Sequence, residues 1–262
     1  MSKDILEEII AAKRIEVARQ QEAVPFSQLE TQLPEIKKSR SMHDSLAASP
    51  YGIISEFKRR SPSKGWIKQE GDSAIIPQSY ERAGASALSI LTDEPFFGGN
   101  MEDIKKARPT VSLPILRKDF IVSEYQLLQA KIIGADAVLL IAAALTKEEC
   151  RQLAKKAQEL KLEVLLELHS EPELDYVNEY VDMVGVNNRN LGTFHTDVEN
   201  SFRLAKQLPQ DTLLVSESGI SNPKTIKQLR DVGFRGFLIG ETFMKTSDPG
   251  ETLRQFIKEI ES

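Results

Sequence analysis

Eight short apolar runs, each followed by a stretch with helical spacing, limit what this chain can fold into. They are GIISEF (52–57), ALSILT (87–92), PILRK (114–118), AVLLIA (137–142), EVLLE (163–167), MVGVN (183–187), LLVSE (213–217) and GFLIG (236–240). Several are almost wholly apolar, the mark of parallel strands covered on both faces. Their starts lie roughly 20 to 35 residues apart, room for one crossover helix each.

The stretches between them repeat apolar residues at helical intervals, clearest over 123–133, 147–160, 198–208 and 223–232. Gly134 and Gly233 stand where a helix must stop before the next strand. Eight strands alternating with eight helices predict a (β/α)8 TIM barrel, and 262 residues is an ordinary length for one. An open doubly wound sheet is the main rival. It usually carries a G-x-G-x-x-G turn after its first strand, and KRRSPSKG stands there instead. No Gly-, Ser- or Pro-rich linker divides the chain. The expectation is one barrel domain over 1–262, with 1–48 a helical extension of it that caps the barrel.

Composition narrows the partners. A net charge of −5 with no long basic run disfavours nucleic acid, whose phosphates need clustered Lys and Arg. No run approaches the roughly 20 apolar residues that cross a bilayer, and 1–20 lack the apolar core of a signal peptide, so a cytoplasmic protein without a membrane partner is expected. The one cysteine, Cys150, permits neither an intrachain disulfide nor a cysteine-based zinc cluster. His43, His169 and His195 have no ligand spacing and read as surface or loop residues. The expected state is a monomer, with a dimer as the alternative.

Charge is concentrated at the strand ends. Residues two apart share a face of a strand, which groups Ile54 with Glu56 and Lys58, and Leu116 with Lys118 and Phe120. It also groups Leu165 with Glu167, Gly185 with Asn187 and Arg189, and Val215 with Glu217. Each set turns polar at its C-terminal end. If the apolar members fill the barrel, the polar ones meet at the C-terminal mouth, where barrel enzymes hold their active sites. The alternative is a structural ion-pair network that closes the barrel. The loops SESGIS (216–221) and IGETF (239–243) follow strands seven and eight, which commonly hold phosphate in this fold. Ser61 and Lys64 of the first loop are further anion ligands or, for Lys64, a solvated charge.

ISEFKRRSPSKG, LTDEPFFGG, PILRKDFIVSEYQ, LLELHSEPEL, VGVNNRNLGTF, VSESGIS and FLIGETFM occur in this order. Together, over about 51–244, they resemble the indole-3-glycerol-phosphate synthase family. That resemblance implies a carboxy-lyase of tryptophan biosynthesis that uses no cofactor and no metal. It would convert a phosphorylated small molecule, 1-(2-carboxyphenylamino)-1-deoxyribulose 5-phosphate, to indole-3-glycerol phosphate, releasing carbon dioxide and water.

Residue by residue, the resemblance makes Lys118 the general acid of ring closure and Glu167 the glutamate that assists loss of water, with the acid and base roles of that step divided between it and one lysine. Lys58 becomes a second lysine on the substrate carboxylate, and Glu56 the group that positions both lysines. Asn187, Arg189, Glu217 and Ser218 become polar substrate ligands. Ser61, Gly219, Gly240 and the backbone of Glu241 form the phosphate cradle. Phe97, Leu116, Phe120 and Leu191 wall the anthranilate ring. A proton-donating lysine works best with its pKa near neutrality; a neighbouring lysine favours that fall and neighbouring glutamates oppose it. Two positions depart from many relatives: Arg60 where a small residue is expected, and Glu241 where some have serine, so that the Glu241 side chain must turn from a phosphate. The remaining alternatives are a barrel like phosphoribosylanthranilate isomerase, whose base is a cysteine after strand one, and a non-catalytic phosphometabolite-binding barrel.

Overall fold

Each apolar run pairs in parallel with the runs beside it in sequence. In the computed structural model, which describes residues 5–33, 40–190, 195–209 and 211–262, they close into an eight-stranded barrel. The strands are β1 (Ile53–Phe57), β2 (Ala87–Leu91), β3 (Ile115–Lys118), β4 (Ala137–Ile141), β5 (Glu163–Leu168), β6 (Met183–Asn187), β7 (Leu213–Glu217) and β8 (Phe234–Ile239). The helices are α1 (Ile5–Ala23), α2 (Phe26–Glu30), α3 (Met42–Ala48), α4 (Ile76–Ala83), α5 (Glu94–Phe97) and α6 (Met101–Ala107). They continue with α7 (Glu124–Ile133), α8 (Lys147–Glu159), α9 (Glu199–Ala205), α10 (Pro223–Asp231), α11 (Glu241–Met244) and α12 (Pro249–Glu261).

Alternation along the strands separates two cores. Ile54, Ala87, Leu116, Leu139, Leu165, Met183, Val215 and Leu238 point inward and pack on one another. Their neighbours Ile53, Val164, Leu166 and Val184 point outward beneath the helices. The expected inward set of Ile54, Leu116, Leu165 and Val215 is the set observed. Gly134 ends α7 in the left-handed conformation, φ 91°, which glycine adopts without a side-chain clash.

Three expectations change. The connection after β5 is a 3-10 helix, Glu171–Tyr176, and not an α-helix; Pro172 and the short span to β6 leave no room for a longer ladder. β8 begins two residues earlier than GFLIG and bulges between Phe234 and Gly236. In the loop after β1, Arg60–Ser61 pairs with Gly65–Trp66 as a hairpin.

Residues before β1 serve both ends of the barrel. α3 seals the N-terminal end: Met42 and Leu46 are fully buried in the interior core, each worth roughly 1.5–3 kcal/mol. Glu163, at the start of β5, accepts from the Ser41 hydroxyl (2.6 Å) and the Met42 (2.7 Å) and His43 (3.0 Å) amides, placing a carboxylate at the positive end of α3. α1 lies at the opposite, C-terminal end. Its Lys13, 1% exposed, pairs with Asp93 (2.9 Å) just past β2 and Asp119 (3.0 Å) just past β3. Among the described residues no helix is long and apolar enough to cross a membrane.

Candidate active site

At the C-terminal ends of the strands the inward positions change from aliphatic to charged. Above Ile54 stands Glu56, above Leu116 Lys118, above Leu165 Glu167, above Gly185 Asn187, and above Val215 Glu217. Glu56, Lys58, Lys118, Glu167, Asn187 and Arg189 all line one cavity of about 620 Å³. Lys58 Nζ lies 2.5 Å from Glu56 Oε1, and Lys118 Nζ lies 2.5 Å from Glu217 Oε2 and 3.6 Å from Glu167 Oε2.

Two glycines make room for these carboxylates. A Cβ on Gly240 would stand 2.3 Å from Glu56 Oε1, and one on Gly185 would stand 2.2 Å from Glu217 Oε1. Gly240, expected in the phosphate loop, therefore has a second duty: it lets Glu56 turn toward Lys58.

Burial alone would lower the pKa of Lys118, but Glu217, Glu167 and Glu56 overcome it and hold the ammonium above the usual lysine range. That settles a balance the sequence leaves open: the lysine stays charged and carries a proton at neutral pH. Glu56 and Glu167 are buried, which would raise them, yet both are held below the usual range. Lys58, Lys118 and Arg189 do this for Glu56, and Lys118, His169 and a hydrogen bond from Asn187 for Glu167. Glu217 goes the other way. Burial pushes it up to about 8, against the pull of Lys118 and with the help of the Glu167 charge. Two carboxyls around one ammonium thus keep a shared proton that neither would keep alone.

The rim suits an anion. The Ser61 hydroxyl is buried without a hydrogen-bond partner among the described residues, and such a group is costly unless a ligand satisfies it. Ser218 adopts φ 67°, uncommon for a residue with a side chain, and its carbonyl accepts from Asn188 Nδ2 at 3.1 Å. Gly219, with φ 76°, Ser221, Thr242 and Lys245 lie beside it. The Glu241 carboxylate turns to Lys64 Nζ, 3.8 Å away, as a phosphate beside its backbone requires. Arg189 donates to the Ser63 hydroxyl at 2.9 Å, tying the loop after β6 to the loop after β1.

Not every expected residue reaches the cavity. Phe97 and Phe120 do, with ring centroids 5.9 Å apart. Leu116 does not: it is fully buried one layer below, two residues before Lys118, because alternation returns it to the interior core. Glu217 is also fully buried, behind Lys118, so it holds the lysine and does not face the cavity. Leu191 lies outside the described residues. Sequence reading missed Leu6 of α1, Lys245 and the apolar walls Leu91, Ile141 and Ile220. It also missed Asp119, held down to about 2 by Arg117 and Lys13 against the upward effect of burial. The run RKDF placed Asp119 beside Lys118, but its partner on α1 is distant in sequence.

Cys150 is fully buried in α8, its thiol pushed up to about 11 by burial. It is far from the base position of an isomerase that uses a cysteine after its first strand. Among the described residues no group of three or more His, Cys, Asp or Glu could hold a metal ion.

The family model for indole-3-glycerol phosphate synthase matches residues 6–256. An indole-3-glycerol phosphate synthase of Bacteroides thetaiotaomicron is 67% identical, covering 99% of this chain and 100% of the relative. One of Neisseria meningitidis serogroup B is 46% identical, covering 94% and 96%. Among solved structures, tryptophan synthase subunit alpha from Legionella pneumophila str. Paris superposes with a TM-score of 0.62 at 14% identity, over 85% of this chain and 99% of that one, which is a likeness of fold.

Proposed function

Since this chain belongs to the indole-3-glycerol phosphate synthase family, we propose that its barrel mouth closes the indole ring of 1-(2-carboxyphenylamino)-1-deoxyribulose 5-phosphate with Lys118 as the proton donor. The observation that carries this reading is the placement of Lys118 Nζ between Glu217 and Glu167 at the base of the cavity. Its ammonium keeps a proton until a stronger base forms beside it. The carbonyl oxygen becomes one as the aromatic carbon attacks and an alkoxide develops.

The anionic ends of the substrate find separate partners. The rim formed by Ser61, Gly219, Gly240 and the Glu241 amide, with Lys64 and Lys245 nearby, takes the phosphate. Lys58 and Arg189 take the benzoate carboxylate. Phe97 and Phe120 cover the anthranilate ring. Lys58, Lys64, Lys118, Arg189 and Lys245 line the cavity against Glu56, Asp119, Glu167 and Glu241, so positive charge is focused there although the whole chain is acidic.

After closure the carboxylate leaves as carbon dioxide, and the electron pair of the broken C–C bond restores the aromatic ring. Dehydration then breaks the C–O bond. The hydroxyl leaves as water with a proton from a lysine, and an adjacent C–H gives its proton to Glu167, which begins ionised. The test is to mix the protein with the carboxyphenylamino sugar phosphate and follow indole absorbance and fluorescence. Tight binding without that signal would favour a non-catalytic barrel.

A further inference from the structure

We propose that Asn188 is a positioning residue for phosphate: it holds the peptide between Ser218 and Gly219 turned so that the Gly219 N–H faces the anion. This rests on the reading above that the rim takes the substrate phosphate. Asn188 directly follows β6 and is buried. It lines a groove between α1 and α9 and not the reacting cavity, so it acts on the substrate only through another group.

Its side chain offers a donor and an acceptor, and both are fixed. Nδ2 donates to the Ser218 carbonyl at 3.1 Å and to the Ser216 hydroxyl at 3.0 Å. Oδ1 accepts from the Ser201 amide at 3.1 Å and from the Ser201 hydroxyl at 2.8 Å. A carbonyl only accepts and an amide N–H only donates, so the side chain has one orientation. The hydroxyls follow. Ser201 gives its proton to Oδ1, so the Ser216 hydroxyl donates across 2.8 Å to Ser201 Oγ. The ring of three side chains closes with every donor used, and all three are buried. It joins the ends of β6 and β7 to α9.

The consequence is felt one peptide away. A trans peptide points its carbonyl and its N–H in opposite directions, and no cis bond occurs among the described residues. The Ser218 carbonyl is drawn back toward Asn188, so the N–H of the same peptide, that of Gly219, points away from it. Among the described residues that N–H makes no hydrogen bond. Gly219 lines the cavity together with Ser61, whose hydroxyl is also without a partner among the described residues. The turn needs a constraint to keep this form. Ser218 has φ 67° and Gly219 φ 76°, and a residue with a side chain adopts the first only when its surroundings impose it. Asn188 supplies the constraint. Without its N–H the peptide is free to turn over and present an oxygen where the anion should sit.

The experiment compares the wild-type chain with Asn188→Ala and with Ser201→Ala. Ser201→Ala opens the same buried ring but leaves the residue 201 amide on Oδ1 and the Ser218 carbonyl on Nδ2. Kinetics of indole formation are measured, with binding of inorganic phosphate and of anthranilate followed by NMR titration. Asn188→Ala should weaken phosphate binding and raise KM about 10-fold, the low end of what a hydrogen bond to a charged group is worth. Anthranilate binding should stay within about twofold and kcat within about threefold, since a lost handle remote from the chemistry moves KM alone. Ser201→Ala should lower the melting temperature and leave phosphate binding near that of the wild type. Asn188→Asp keeps the size and the Ser201 contacts but has no N–H; it should act as Asn188→Ala does, and it stands in if that variant does not fold. Unchanged phosphate binding in a folded variant would overturn the proposal. So would equal weakening of phosphate and anthranilate, or equal weakening of phosphate by Ser201→Ala, since either means general damage to the site. A wild-type chain that binds phosphate but forms no indole would instead sink the functional reading, and phosphate affinity would still decide the role of Asn188.

Discussion

Glu217 Oε2 lies 2.5 Å from Lys118 Nζ, yet Glu217 is the carboxyl that burial pushes up to about 8. The nearest partner of the lysine is thus also the acid most prone to hold a proton, because Glu167 shares the same ammonium from 3.6 Å.

Lys118→Ala should lower kcat by about two to four orders of magnitude, the range of a general acid, and should also lower the melting temperature, because Glu167 and Glu217 lose the cation they share. Steady-state kinetics on the purified, folded variant check it. Near-normal turnover would remove Lys118 from the reaction.

Glu217→Gln keeps the shape and fixes the neutral state. A folded pKa raised to about 8 favours the protonated form, so its contribution to stability is full below the unfolded value of about 4.3 and is lost as pH rises toward about 8. The variant should therefore gain melting temperature relative to the wild type from pH 5 to pH 9, by about 2–4 °C for each kcal/mol in a chain of this size. Parallel melting curves across that range would contradict it.

Gly185→Ala should cost activity before it costs the fold. The new Cβ meets the Glu217 carboxylate at 2.2 Å, and a flexible side chain yields more readily than backbone. We expect kcat to drop about 10-fold as Glu217 leaves Lys118. Pairing Gly185→Ala with Glu217→Asp, one methylene shorter, should recover part of it.

Lys13→Met should lower stability by about 3–5 kcal/mol, because it leaves Asp93 and Asp119 buried without their shared cation. Denaturant unfolding measures this. Phe120, whose amide donates to Asp119 Oδ1 at 2.8 Å, should lose its fixed position, and KM should rise.

Leu46→Ala tests the other end of the barrel. It should cost about 2–5 kcal/mol with KM unchanged, since α3 seals the end opposite the cavity. A raised KM would mean that the two ends are coupled.

The sequence by itself determined the barrel and the identity of the strand-end charges. Both follow from local rules: apolar runs long enough for one strand, and a period of two that assigns Ile54, Leu116, Leu165 and Val215 to one face and carries Glu56, Lys118, Glu167 and Glu217 along with them. The 3-10 segment after β5 was within reach too, through Pro172. Tertiary structure alone decided which charges meet, and at what distance. Glu217 faces Lys118 and not the cavity because Gly185 leaves it space, and Lys13 reaches Asp119 because α1 folds back across the mouth. Those contacts join residues far apart along the chain. They depend on barrel closure and on the desolvation that closure brings, and neither quantity is written in the spacing of the residues.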